Sequence, residues 1–234
     1  MRGCLFVLLV GVAVIVGAAW FGGPPATSAV IASILGGSGY RAASSTVTAT
    51  ADPPLRLLLG HADRVTIDGR DVTWRTFKAA RLQLTLRDVD LFGRTAGAID
   101  GTIDGAELQT LDDPPPTADV TIEGTGSDAT ATIRVAGATV DRLVRSGFSR
   151  QFAVAVVSTS LAAPDTLRIS ATGTTIQGRL AIDGTGALVL VTTLGSADLF
   201  RFDSSFPIRL VGVRVRGADL EIEGTLDPAA LLGG

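Results

Sequence analysis

The chain of 234 residues contains one cysteine, one histidine, one methionine and one lysine. Each scarcity removes a class of function. Cys4 lies in an apolar amino-terminal run, so the rest of the chain can form no disulfide and must be held by its core. It also lies before, rather than after, the apolar stretch, the wrong place for the lipid-modified cysteine of a bacterial lipoprotein. His61 stands alone, which excludes a histidine metal cluster and paired-histidine catalysis. Beyond residue 21 there are nineteen basic residues, Lys78 the only lysine, against twenty-three acidic ones. That balance lacks the basic excess of a nucleic-acid-binding protein.

Long apolar runs are equally scarce, with one exception. Cys4 to Phe21 reads CLFVLLVGVAVIVGAAWF, eighteen residues without a charge. As a helix it would span roughly 27 Å, close to the hydrocarbon thickness of a bilayer. Two readings follow. The full length and the aromatic pair Trp20 and Phe21 fit an uncleaved anchor. A shorter apolar core ending at the small residues Gly17, Ala18 and Ala19 fits a cleaved secretory signal. In both, residues 1–23 deliver residues 24–234 across a membrane, and Arg2 places the amino terminus in the cytoplasm. The expected localisation is the cell membrane with an extracytoplasmic domain, or secretion if the segment is removed.

The exported part is patterned mainly as strands. Gly22 to Pro25 reads as a hinge, and Ala29 to Leu35 as one or two helical turns ended by Gly36 and Gly37. Thr46 to Ala51 alternates weakly, Pro53 and Pro54 precede an apolar cluster at Leu55 to Leu59, and Val65 and Ile67 open a strand. Leu82, Leu84 and Leu86 alternate with Gln83, Thr85 and Arg87, which gives that strand one apolar face. Asp112 to Pro116, DDPPP, is the expected internal boundary. Beyond it, Val120 and Ile122, then Ala131, Ile133 and Val135, form two strands.

Between residues 138 and 152 the period changes. Val140, Leu143, Val144, Phe148 and Phe152 share one face of a predicted helix, and Asp141 and Arg145 form a pair one turn apart. Strands resume at Leu167 to Thr172, Gly178 to Ile182 and Ala187 to Thr193. The run FPIRLVGVRVRGADLEIEGTLD, Phe206 to Asp227, predicts a hairpin about Gly217. In it Val211, Val213 and Val215 share one face, and Arg214 opposes Glu221 or Glu223.

Signatures of catalysis are missing. Asp63, Asp68 and Asp71 gather near His61 without a hydrolase or glycosidase spacing, and Gly36 to Gly39 lacks the Lys and Ser or Thr of a phosphate loop. GTGSD at Gly124 to Asp128 and IDGTG at Ile182 to Gly186 read as hairpin turns. The expectation is a protein that is not an enzyme, with no catalytic residues, metal or cofactor.

The order of parts resembles the LmeA-like phospholipid-binding family of bacterial envelope proteins. The resemblance rests on the amino-terminal apolar segment, LRLLLGHADRVTID at Leu55 to Asp68, the amphipathic helix, and the closing FPIRLVGVRVRGADLEIEGT hairpin. It implies an α+β fold resembling the tubular lipid-binding fold, a strongly curved antiparallel sheet wrapped around amphipathic helices. It also implies a phospholipid partner and a task in envelope lipid transport, presentation or maintenance. The DDPPP break and the few aromatics depart from many relatives.

The candidate acyl-chain lining is Leu82, Leu84, Leu86, Leu143, Val144, Phe148, Phe152, Val211, Val213 and Val215. Alternation alone favours a solid core for the same residues, since the pattern reports burial and not emptiness, and it is the resemblance that favours a lipid-lined interior. A candidate headgroup or membrane contact is Trp74, Arg75, Phe77, Lys78 and Arg81, where aromatic and basic residues interleave. The same segment also reads as an ordinary strand or loop with a solvated basic face. The competing function is a structural or regulatory envelope protein that binds a membrane enzyme or transporter and holds no lipid.

Overall fold

The computed structural model describes residues 39–74, 77–90, 92–93, 95–110, 114–125, 128–202 and 208–226. The apolar run at 4–21 and the helical turns expected at 29–35 lie outside these residues. Among the described residues no helix is long and apolar enough to cross a membrane.

The described residues form two antiparallel sheets and one long helix. The strands of the large sheet are β1 (Tyr40–Arg41), β2 (Ser44–Thr50), β3 (His61–Trp74), β4 (Phe77–Asp90), β5 (Thr95–Glu107), β6 (Thr117–Thr125), β7 (Asp128–Val135), β13 (Ile208–Arg216) and β14 (Asp219–Leu226). A short helix α1 (Leu55–Leu58) precedes β3. The sheet order is β1-β3-β4-β5-β6-β7-β14-β13, with β2 also on the outer edge of β3, and it does not close into a barrel. The small sheet, β8 (Val156–Ala162), β9 (Thr166–Ala171), β10 (Thr174–Ile182), β11 (Leu188–Thr192) and β12 (Gly195–Phe200), runs in the order β12-β11-β10-β9-β8. Helix α2 (Gly137–Phe152) lies between the two sheets in sequence.

Asp112 to Pro116 does not separate two sheets. The strands it connects, β5 and β6, pair directly, with Ala106 opposite Ala118, and Leu108 N–H donates to the Pro116 carbonyl. The change of sheet comes instead at α2. Sequence patterning missed β5, whose TAGAIDGTIDGAE carries little apolar bulk and whose register shifts between Ile103 and Ala106. A bulge moves every later side chain to the opposite face, which erases a period of two.

Helix α2 buries Val140, Leu143, Val144, Gly147 and Phe148, the face expected from its spacing. It packs against both β8 and β12, the two edges of the small sheet. Five strands are about 19 Å across and the 16 residues of α2 about 24 Å long, so the helix is long enough to reach from one edge to the other.

Two contacts fix this docking. Asp141 accepts hydrogen bonds from Thr159 N–H and Oγ1 at 3.0 and 2.7 Å and from Arg145 Nε at 2.7 Å. Burial raises the Asp141 pKa, but the bonds from Thr159 and Arg145 more than offset it and hold the carboxyl below its usual range. Within the helix, the rings of Phe148 and Phe152 pack one turn apart, tilted by 48° with centroids 4.6 Å apart. At Gly147 a Cβ would fall 2.9 Å from the Asp198 carbonyl oxygen, so glycine permits the closest approach of helix to β12.

The β13–β14 hairpin forms as expected about Gly217, with Arg214 opposite Glu221. Glu221 is 8% exposed on the outer face, and its carboxylate accepts hydrogen bonds from Arg214 Nε at 3.0 Å and Arg216 Nη1 at 3.1 Å. Arg214 also reaches Glu223 at 2.9 Å. These guanidinium groups, Arg214 first, hold the Glu221 carboxyl below its usual range against the effect of burial.

The two sheets join at one end of the large one. Val215 N–H donates to the Pro164 carbonyl at 2.6 Å, and Gln109 bridges to Arg201.

Two outcomes follow from these contacts. Gly147→Ala gains up to about 1 kcal/mol of helix propensity but drives a methyl into the Asp198 carbonyl, and such overpacking costs about 1–3 kcal/mol. Thermal unfolding should therefore show a net fall in Tm of a few degrees. Because the Glu221 pKa is lowered by folding, its stabilisation is fully present above the unfolded value of about 4.3 and is lost as pH falls through the lower folded value. Denaturant titrations should show Glu221→Gln clearly weaker than wild type at pH 7, the gap closing at pH values below the ordinary glutamate range.

Candidate functional site

The inner face of the large sheet is the dominant apolar feature. Cross-strand registers align its residues into three rows, each crossing seven strands. The first runs Gly69, Leu82, Ile103, Val120, Ile133, Ile222, Val213. The second runs Ile67, Leu84, Gly101, Ile122, Ala131, Gly224, Leu210, and the third Val65, Leu86, Ile99, Gly124, Ala129, Leu226, Ile208. No position in any row is polar. With about 4.8 Å between strands and about 6.8 Å between rows, the rows cover about 29 by 14 Å before curvature.

The rows are not uniform in bulk. The strand β4 supplies a leucine to each, whereas Gly101, Gly124, Ala129, Ala131 and Gly224 thin the middle of the second and third rows. At Gly101 a Cβ would lie 2.6 Å from Leu84 Cδ2 and 2.3 Å from the Gln83 carbonyl oxygen, so the leucine folds over the glycine.

Of the expected lining residues, Leu82, Leu84 and Leu86 sit in the three rows, and Val213 and Val215 point to the same side at the far edge. Leu143, Val144 and Phe148 are buried, and Phe152 half-buried, but they belong to the packing of α2 against the small sheet rather than to the rows. Val211 is a correction. It is 55% exposed because it is the extra residue of a bulge between Leu210 and Gly212, which reverses the alternation assumed along the strand. The inward residue there is Leu210. Pairing registers, which the chain's linear pattern does not display, were needed to find Ile122, Ile133 and Ile222 as neighbours in the same rows.

The expected membrane contact around residue 77 is also rearranged. Phe77 is buried and faces the core with Ala79, because the alternation of Leu82, Leu84 and Leu86 breaks at Ala80 and Arg81, beside the left-handed Asp71 of β3. Trp74 lies directly opposite it, half-buried against the core, with Tyr40 as its partner on the other side. Lys78 lies 4.0 Å from Glu107, and Arg81 pairs with Asp68 at 3.0 Å. The Asp68 carboxyl is held below its usual range chiefly by the Arg81 hydrogen bond. Arg75 lies outside the described residues.

The outer face carries a different feature, a polar depression of about 390 Å³ along β4 to β7, whose charged residues are Arg87, Asp100, Glu123 and Asp128. Its charges make it unsuited to an acyl chain. The turns expected at 124–128 and 182–186 join β6 to β7 and β10 to β11, and Asp183 Oδ1 closes the latter by accepting from Thr185 N–H, Thr185 Oγ1 and Ala187 N–H. Among the described residues no cluster of histidine, cysteine and carboxylates could hold a metal ion.

The chain matches the family model of LmeA-like phospholipid-binding proteins over residues 15–225. No curated protein and no solved structure matches it. With the match covering most of the sequence, and an uninterrupted apolar face at the centre of its large sheet, the chain belongs to the LmeA-like phospholipid-binding family.

Proposed function

We propose that the protein is a non-enzymatic, extracytoplasmic phospholipid carrier that holds acyl chains against the inner face of its large sheet for transport or presentation within the envelope. The observation that carries this reading is the set of three apolar rows in a chain of a phospholipid-binding family. Burying a sixteen-carbon chain at about 0.8 kcal/mol per methylene offers roughly 13 kcal/mol gross. Such binding needs few polar contacts. The second and third rows carry the least side-chain bulk at Ala129 and Ala131, where an acyl chain would displace the fewest atoms against the sheet. The tubular lipid-binding arrangement, in which curved sheet surrounds lipid, is supported by the antiparallel topology and by α2 packing on both edge strands of the small sheet. The apolar run at Cys4 to Phe21 supports export, with the domain retained at the membrane or released from it.

Full-length protein should carry extractable phospholipid through detergent-free purification, and mass spectrometry of the extract measures it. Ala129→Leu with Ala131→Leu fills the thin rows and should lower bound phospholipid about tenfold while cooperative thermal unfolding persists. A folded wild-type protein that carries no phospholipid and takes none from vesicles would replace the carrier reading with that of a structural envelope protein.

A further inference from the structure

The end of the large sheet opposite its junction with the small one carries a group of exposed apolar side chains. Phe92, in the β4–β5 turn, is 78% exposed, and Leu59, just after α1, is 63% exposed; Leu55 of α1 is 39% exposed. Two turns more than thirty residues apart in sequence meet here. A Cβ at Gly60 would fall 2.5 Å from the Phe92 ring, so the phenyl group lies directly over Gly60, beside Leu59. Both turns are fixed in place. Asp90 Oδ1 accepts from the Phe92 and Gly93 N–H groups at 3.0 and 2.8 Å, and Asp63 accepts from Asp52 N–H and Arg56 Nη1, each at 2.6 Å.

Charge beside this tip has an unusual arrangement. Arg64 and Arg87 face each other directly across β3 and β4, both exposed, and neither pairs with a described residue. Like charges directly opposite are unfavourable in a sheet. The carboxylates at this end are Asp52, Asp63, which Arg56 pairs, Asp88, Asp90, which closes its own turn, and Asp128, which with Asp100 and Glu123 lines the same depression as Arg87.

We propose that this tip docks on an anionic phospholipid bilayer, with Leu59 and Phe92 entering the acyl boundary and Arg64 and Arg87 meeting lipid phosphates. Three apolar side chains are too small a patch for a protein partner, which needs roughly 800 Å² on each side, but suffice for shallow insertion beside cations. The tip is continuous with the interior. Ala62, Val89 and Ala96 form a fourth buried apolar row between it and the other three, and Leu57 packs on the core between the exposed Leu55 and Leu59. This inference rests on the carrier reading for its purpose, since it makes the tip the mouth through which lipid enters. It moves that mouth to the opposite end of β4 from Trp74 and Phe77, about 44 Å along the strand.

Full-length protein inserted in vesicles of equal phosphatidylglycerol and phosphatidylcholine tests the docking. An environment-sensitive fluorophore is attached at Leu59→Cys or Phe92→Cys in a Cys4→Ser background, with Thr172→Cys in the small sheet as control. Labels at 59 and 92 should shift to the blue and be quenched by brominated lipid, less so in pure phosphatidylcholine, while the label at 172 stays in water. The double variant Leu59→Asp with Phe92→Asp should take phospholipid from vesicles about tenfold more slowly than wild type, yet hold the same amount at saturation. Labels that remain water-exposed at 59 and 92, or a variant that loads at the wild-type rate, would overturn the docking site. Loss of loading in wild type with labels still inserted would overturn the carrier reading and leave the docking site standing.

Discussion

Cross-strand register is the constraint on which the rest of this molecule depends. A strand has a side-chain period of two, so a slip of one residue in any of the six pairings would move a polar set into the interior. The three rows stay apolar through six successive pairings because each strand keeps its phase and each irregularity is absorbed at a bulge. The shift between Ile103 and Ala106 and the extra residue Val211 both fall where one row ends or the edge strand begins. Without disulfides, and with a single long helix among the described residues, this face and the α2 packing supply most of the burial that holds the domain.

Function follows from what the rows exclude. A face of about 29 by 14 Å with no polar position offers nothing to a sugar, nucleotide or metal, and it offers methylene groups a continuous partner. The polar outer face, by contrast, is tied together by ion pairs that set local geometry, such as Arg214 with Glu221 and Arg134 with Asp219 at 2.6 Å. Exposed pairs of this kind add little stability singly. Glu221 is the exception worth isolating, because two arginines cover it and leave it nearly inaccessible.

Much of this was legible in the sequence. The alternation at Leu82, Leu84 and Leu86 and the helical face from Val140 to Phe152 are written in local periodicity and occupy the face their pattern implied, and the closing hairpin turns at Gly217 as expected. What escaped was non-local or irregular. The strand β5 hid behind glycine, aspartate and a bulge; Val211 read as inward because a bulge has no sequence signature of its own. The DDPPP run looked like a boundary because prolines mark a break in the chain without saying whether the flanking strands pair. Phe77 looked exposed because aromatic and basic residues alternate in a strand just as they do in a membrane-facing loop. The tip at Leu59 and Phe92 carries no periodic signal, since its members come from separate turns that only the β3–β4 pairing brings together.

The central claim is that acyl chains lie on the inner face of the large sheet. The most direct measurement is photo-crosslinking of the full-length protein in vesicles with a phospholipid bearing a diazirine near its acyl terminus, followed by peptide mapping. The account predicts adducts on the inward residues of β5 to β7 and β14, concentrated around Ile122, Ala131 and Ile222. Adducts confined to the run Cys4 to Phe21, with none between residues 99 and 226, would contradict it.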